Sequence, residues 1–470
     1  MPHIAPSASR RQPVFGRIRH VHMVGIGGIG MSSIAEVLLT RGYKVTGSDL
    51  SRSEVTEHLE TLGAIIDQGH EGKSARGACV VVHSSAVDPS TNAETLFARE
   101  NAIPVIRRSE MLGELMRMKY GIGIAGTHGK TTTTTMAGHV VGAGGFDPTV
   151  VVGGKVSAFG SNAVSGEGDI IVVEADEYDR TFLRLTPSLA IITNIEADHL
   201  DCYSDLEDIK QAFTQYARSV PFFGSVICCS DDKNVRSILG AIDRNVITYG
   251  LESSARIRAV NIVQQGRIMH FDVLHENQHL GRVQLDAPGN HNVQNALAAI
   301  TIGLELDMSF DDIVRGIAGF TGVQRRMHEI GEANGVLVVD DYAHHPTEVR
   351  ATLDGAKGCW PKRRIVAVFQ PHLYSRTRDL CDDFASSFGD ADVVYIMGIY
   401  PAREEPISGV SGMNIVSRSG HPTMFFEEDK NRLVERLIAD ARSGDVILTM
   451  GAGDIWRLNR EVMKRLEGQN

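Results

Sequence analysis

The chain has 470 residues, enough for about three domains of ordinary size, each able to bury its own core. Hydrophobic residues make up 42% and charged residues 22%, close to globular averages, which excludes wholesale disorder and a bundle of membrane helices. The 47 basic side chains against 58 acidic ones give a net charge of −11 with no long block of like charge, so a dedicated nucleic-acid binder is not expected.

The first residues carry Arg10, Arg11, Arg17 and Arg19 and no acid, but Pro2, Pro6 and Pro13 break any amphipathic helix. The segment reads as an N-terminal extension, not a transit peptide. Cysteines at 79, 202, 228, 229, 359 and 381 form no CxxC pair and sit mostly in apolar runs, as reduced core residues of a cytoplasmic protein do. No apolar run approaches the ~18 residues of a membrane span, and no membrane partner is expected.

From His20 onward, short β-branched runs alternate with helical-length segments. His20–Val24, Lys44–Thr46 and Cys79–His83 read as strands, with a helix over Met31–Arg41. A second series begins at Gly121–Ala125 and continues with Ile170–Glu174 and Ala190–Asn194. Its solidly apolar runs suit strands covered on both faces. Between about 256 and 285 the period becomes alternating, with turns expected at Gly266 and at His279–Gly281, which predicts an antiparallel meander. A third series runs through Val336–Val339, Ile365–Phe369, Val393–Met397 and Val446–Met450. The fold expected is α/β with three domains and boundaries near 118 and 323.

Gly25-Ile26-Gly27-Gly28-Ile29-Gly30 is a GxGxxG turn opening a helix, with Asp49 at the end of the next strand. Such glycines let a pyrophosphate approach the helix N-terminal amides. A dinucleotide, another diphosphate ligand, or tight βα packing with no ligand would each explain them. Gly126-Thr127-His128-Gly129-Lys130-Thr131-Thr132 lies between a strand and a helix, the context of a phosphate loop. Lys130 can face the outer phosphates and Thr131 a Mg²⁺ ion; a merely solvated lysine, adding little stability, is the alternative.

Metal ligands are expected at the ends of neighbouring strands. Glu174 ends one, and the segment Asn194-Ile195-Glu196-Ala197-Asp198-His199-Leu200-Asp201 follows the next, making His199 a candidate. Asn292 and Asn295 share a face of a helix that begins near His291; they can read a base edge or cap the helix. Arg325-Arg326, the segment from Asp340 and Asp341 to His344, His345 and Pro346, and the loop from Pro371 to Arg376 and Arg378 lie at strand ends of the third series.

Taken together, these motifs resemble the Mur ligase family over residues from about 20 to 460. The resemblance implies ATP-dependent amide ligation in peptidoglycan precursor synthesis. It implies a Rossmann-like UDP-sugar domain at 1–117, a P-loop ATPase-like domain with the meander at 118–323, and a Rossmann-like amino-acid domain at 324–470. Gly25, Gly27, Gly28, Gly30, Asp49 and Ser84 then serve the UDP-sugar rather than NAD. ATP falls to Gly126 through Thr132, with His291, Asn292, Asn295, Arg326 and Asp341.

Thr131, Glu174 and His199 match metal ligands for Mg²⁺, with Mn²⁺ as a substitute, and Lys130, Glu174, His199 and Arg326 match catalytic positions. His345, Arg376 and Arg378 are implied for the amino acid. UDP-N-acetylmuramate, L-alanine and ATP are the partners implied. Two positions depart from the family pattern: Leu373 stands where some relatives place an arginine, and Thr214 where several carry a modified lysine, so no modified lysine is expected here. A nicotinamide dehydrogenase would leave the Gly126–Thr132 loop unexplained, and a nucleotide-switched interaction protein would leave the first glycine turn unexplained.

Overall fold

The computed structural model describes residues 15–156, 161–200, 202–402 and 404–468; most of the N-terminal extension, and Asp201, lie outside them. The first sheet contains β1 (His20–Val24), β2 (Lys44–Asp49), β3 (Ile65–Gln68), β4 (Val80–His83) and β5 (Val105–Arg107), all parallel in the order β3-β2-β1-β4-β5. Helix Arg108–Arg117 follows, and the second sheet starts at Tyr120.

That second sheet is formed by β6 (Tyr120–Ala125), β7 (Thr149–Val156), β8 (Ser161–Val164), β9 (Ile170–Glu174), β10 (Leu189–Ile192), β11 (Ser225–Cys229), β12 (Asn245–Gly250), β13 (Ile257–Gln265), β14 (Ile268–His275) and β15 (Gln278–Leu285). Its order is β15-β14-β13-β12-β11-β10-β6-β9-β7-β8. Strands β12, β11, β10, β6, β9 and β7 are parallel, β8 pairs antiparallel with β7 at one edge, and β13, β14 and β15 add the antiparallel meander at the other. The third sheet contains β16 (His328–Ala333), β17 (Val336–Asp341), β18 (Arg364–Phe369), β19 (Val393–Ile396), β20 (Met424–Phe426) and β21 (Asp445–Met450), in the order β16-β17-β21-β18-β19-β20.

Every residue of β1, β10, β11, β17 and β21 is buried, which is why β10, β11, β17 and β21 read as largely apolar without alternation, while β1 buries His20 and His22 as well. One face of the second sheet packs with Phe213 and Tyr216, and the other with helices Lys130–Ala143 and Asn290–Glu305. Helices on both faces leave the ends of the parallel strands as the open crevices, and the motif residues cluster there.

Two expectations are corrected and one strand is added. Thr193 and Asn194 have left β10 and instead bond the phosphate loop, through Thr193 Oγ1 and Asn194 Nδ2 to the His128 carbonyl at 2.7 and 3.1 Å. The meander does not turn at His279–Gly281. Its second hairpin closes at Glu276 and Asn277, whose φ values of 48° and 70° give the left-handed pair a two-residue turn demands. Gly281 lies inside β15, where a Cβ would come within 2.7 Å of the Phe310 ring. The third sheet also has an antiparallel edge, β16, that its polar sequence concealed. No helix of the described residues is long and apolar enough to cross a membrane.

Candidate active site

In the first unit the glycine turn follows β1 directly. Gly25 has φ 76°, and the Gly27 amide donates to Asp49 Oδ2 at 2.9 Å, so Asp49 ties the turn to the end of β2. A Cβ on Gly27 would meet that same oxygen at 2.8 Å. Gly28 caps helix Ile29–Thr40, Gly30 lies under the Arg108 guanidinium, and Ser84 sits 3.2 Å from where a Gly25 Cβ would be. The six residues therefore meet at the C-terminal ends of the central strands β1, β2 and β4. Beside them Arg107, Arg108, Asp179 and Thr181 line a cavity of about 360 Å³ between the first and second units. Neither arginine was expected, because a basic pair before a helix reads as solvated surface.

The phosphate loop joins β6 to helix Lys130–Ala143, with Gly129 at φ 81° as the residue before the helix. A Cβ there would meet Asn295 Oδ1 at 2.6 Å, so the glycine permits helix Asn290–Glu305 to approach the loop. Lys130 is largely buried, its side chain 13% exposed, rather than solvated: Nζ donates to Glu177 at 2.9 Å and to the Gly126 and Thr127 carbonyls at 2.7 and 3.2 Å. Its ammonium form gains more from Glu177 and Asp176 than burial takes away, so its pKa is raised. Burial pushes Glu177 up to about 7 against the pull of Lys130.

Thr131 Oγ1 donates to Glu174 Oε2 at 2.9 Å, and the Gly153 amide donates to the same oxygen at 2.7 Å. Burial raises the Glu174 pKa despite Lys130. His199, in the left-handed region at φ 55°, reaches this cluster through Glu177, 3.7 Å from its Nε2. The Thr131 hydroxyl and the Glu174 and Glu177 carboxylates form an oxygen set that suits a hard dication beside a phosphate chain, with the His199 imidazole at its margin.

A second cavity, of about 290 Å³, opens between the phosphate loop and the third unit. Its walls include His128, Gly129, Thr132, His291, Asn292, Asn295, Arg326 and Asp341. The asparagines do not cap their helix in the usual manner. Asn292 Nδ2 donates to the Pro288 carbonyl at 2.7 Å, and Asn295 joins Asn292 to Thr133 at 3.2 and 3.1 Å. His291, pushed down to about 4 by burial and then by Arg326, is neutral. Asp341 accepts the Met327 and Ala343 amides, each at 2.8 Å, and thereby shapes the wall that carries Arg326.

Of the residues implied for the amino acid, two enter this region and one does not. Arg376 is buried, and its Nη2 and Nε donate to Asp198 Oδ1 at 2.7 and 3.2 Å. Burial opposes the Asp198 charge, but Arg376 and then His199 hold its pKa well below the usual carboxylate range. His345 lies under Glu196, 3.4 Å from Nδ1, with its ring 4.7 Å from that of His128. Arg378, in contrast, is exposed and paired with the adjacent Asp379 at 2.7 Å.

Sequence reasoning missed Glu177, Glu196, Asp198 and Glu348 as functional partners. Each was visible as an acid in or near a motif, but its role depends on a residue far along the chain. Glu348 collects His344, His128 and Arg326, at 3.1, 3.3 and 3.5 Å.

Comparison with known proteins matches three family models in chain order: the Mur ligase family catalytic domain at 20–120, the Mur ligase middle domain at 124–303, and the Mur ligase glutamate ligase domain at 325–453. The chain is 58% identical to a UDP-N-acetylmuramate–L-alanine ligase of Salinibacter ruber, covering 97% of each sequence. It is 49% identical to the enzyme of that name from Geotalea daltonii, covering 96% of this chain and 99% of the other. A solved UDP-N-acetylmuramate-alanine ligase from Thermotoga maritima superposes with a TM-score of 0.80 at 28% identity, covering 96% of this chain and 100% of that one.

Proposed function

The chain belongs to the Mur ligase family, and on that premise we propose that it joins L-alanine to the lactoyl carboxylate of UDP-N-acetylmuramate, with ATP split to ADP and phosphate. The observation that carries this reading is the phosphate loop with its buried lysine, opposed by two carboxylates and facing a cavity walled by a second unit. Residues 1–117 are taken to hold the UDP-sugar, 118–323 ATP, and 324–470 the amino acid. The reaction belongs in the cytoplasm, where ATP is available.

The γ-phosphoryl group of ATP passes to the carboxylate, and the alanine amine then opens the acyl phosphate to form the amide. Carboxylate and phosphate are both anions, so their approach needs positive charge, which Lys130 provides. Thr131, Glu174 and His199 are the residues proposed to hold Mg²⁺, or Mn²⁺ in its place. Such an ion supplies further neutralisation of the phosphate oxygens. The contact of Thr131 with Glu174, with Gly153 leaving no room for a Cβ beside that carboxylate, supports this fit.

His291, Asn292 and Asn295 are proposed to line the adenine end, and Arg326 with Asp341 the phosphate side. Gly25, Gly27, Gly28 and Gly30, with Asp49 and Ser84, are proposed for the UDP diphosphate and its nucleoside. Arg376 is proposed to receive the alanine carboxylate by exchanging Asp198 for it, one anion for another, with His345 close by. Arg378 is left outside the site by its position. An acyl phosphate hydrolyses readily, and the walls supplied by two units serve to exclude water.

Phosphate release from ATP, measured with and without each substrate, tests the reading. Release that needs both UDP-N-acetylmuramate and L-alanine is the expected result; release indifferent to both would remove it.

A further inference from the structure

We propose that His128, Glu196 and His345 form a binding site for a transition-metal dication of the Zn²⁺ or Co²⁺ class, separate from the magnesium position at Thr131 and Glu174. The three donors come from three elements: the phosphate loop, the segment after β10, and the residue before helix Pro346–Cys359. Their ligand atoms all lie within 4.8 Å of one another. Glu196 Oε2 is 3.7 Å from His128 Nε2 and 3.4 Å from His345 Nδ1. A tetrahedral ion with bonds of about 2.0–2.2 Å separates its ligands by about 3.3–3.6 Å. Two edges of the site are therefore nearly at coordination spacing; the edge between the two rings, within 4.8 Å, has to shorten, and His345 Nδ1 has to give up the Thr347 amide it accepts at 3.4 Å.

The surroundings are those of a metal site. His128 Nε2 is buried and has no hydrogen-bond partner; its nearest acid, Glu196, lies 3.7 Å away, a gap that a shared ion would bridge. The other nitrogen of that ring, Nδ1, lies 3.3 Å from Glu348, which reproduces the carboxylate–histidine pairing that orients metal-binding imidazoles. The Thr347 hydroxyl donates to Glu196 Oε2 at 2.8 Å and fixes the carboxylate. Both rings are largely buried, and the cavity beside His128 and Glu196 leaves room for a fourth, solvent or substrate, oxygen. Two imidazoles and one carboxylate favour zinc or cobalt, whereas Mg²⁺ prefers an all-oxygen set. An ion held here would fasten the phosphate loop to the third unit.

The test is a cobalt titration of the chelator-treated full-length protein, without nucleotide and with excess MgCl₂ filling the magnesium position. One saturable equivalent is expected, with the visible absorption of four-coordinate cobalt, displaced by Zn²⁺. Glu196→Gln and His345→Ala should each weaken binding by roughly 10- to 100-fold, while Glu174→Ala should leave it unchanged. X-ray absorption of the zinc-loaded unmutated protein should count two imidazoles, which does not depend on how the variants fold. The proposal is overturned if no saturable band appears, if the band survives both substitutions, if Glu174→Ala abolishes it, or if fewer than two imidazoles are found.

Discussion

Lys130 has an acidic partner built into the fold, and that partner alters what its removal does. Lys130→Ala should reduce ligation by at least ~10²–10³-fold, as loss of a preorganised charge at a reacting phosphate does. It should also leave the Glu177 carboxyl buried without its cation, at a cost of about 3 kcal/mol where that group must stay ionised. Glu177 is pushed up to about 7 even beside Lys130, so its folded pKa is raised above the unfolded value. Stability linked to such a group is present at low pH and lost as pH rises through the folded value. Urea unfolding should therefore show a smaller loss for the variant near about pH 6 than near about pH 8; equal losses would sink this account.

Arg376 also has a prior partner. Arg376→Lys should raise the KM for alanine far more than that for ATP, with about 2–4 kcal/mol lost from the charge-assisted pair. Because a methyl pocket distinguishes one methylene by only about 1–3 kcal/mol, glycine and serine should be weak substrates. Steady-state kinetics with the three amino acids decides this, and an unchanged alanine KM in the variant moves the carboxylate site elsewhere.

The two glycine loops were legible because their physics is local: a strand, a turn that excludes side chains, and a helix N-terminus lie within ten or so consecutive residues. The acids opposite them were not, since Glu177 meets Lys130 across 47 positions and Asp198 meets Arg376 across 178. No periodicity encodes such distances. The misplaced hairpin turn has a similar cause, because Gly281 resembles a turn glycine until Phe310, from another helix, fills the space above it. Gly281→Val should accordingly destabilise the second unit by about 1–3 kcal/mol through overpacking, measured as a lower urea midpoint; an unchanged midpoint would show that the ring moves freely. At the first glycine turn, Gly27→Ala pushes against Asp49 and should weaken UDP-N-acetylmuramate binding in calorimetry, with NAD binding absent from the parent protein.

Several contacts between the second and third units are ionic. His128 is opposed by burial, but Glu196 and Glu348 overcome this and push it up to about 9 from 6.5. Its contribution is full below the unfolded value and disappears as pH rises through about 9. Thermal unfolding of the chelated protein should thus weaken on the alkaline side by up to about 2–3 kcal/mol, and His128→Asn should flatten that slope. A slope unaffected by the substitution would assign it to other groups.

The third sheet carries a further consequence, for synthesis and proteolysis. Its last strand in sequence, β21, is central in space, hydrogen-bonded to β17 on one side and β18 on the other. A ribosome must therefore deliver residues 445–450 before β17 and β18 can be joined, whereas the first sheet needs nothing beyond β5. A nascent chain halted before Asp445 would carry two finished units and a third split in half. Pulse proteolysis of such a truncated chain should spare fragments ending near residue 323 and digest the unfinished third unit.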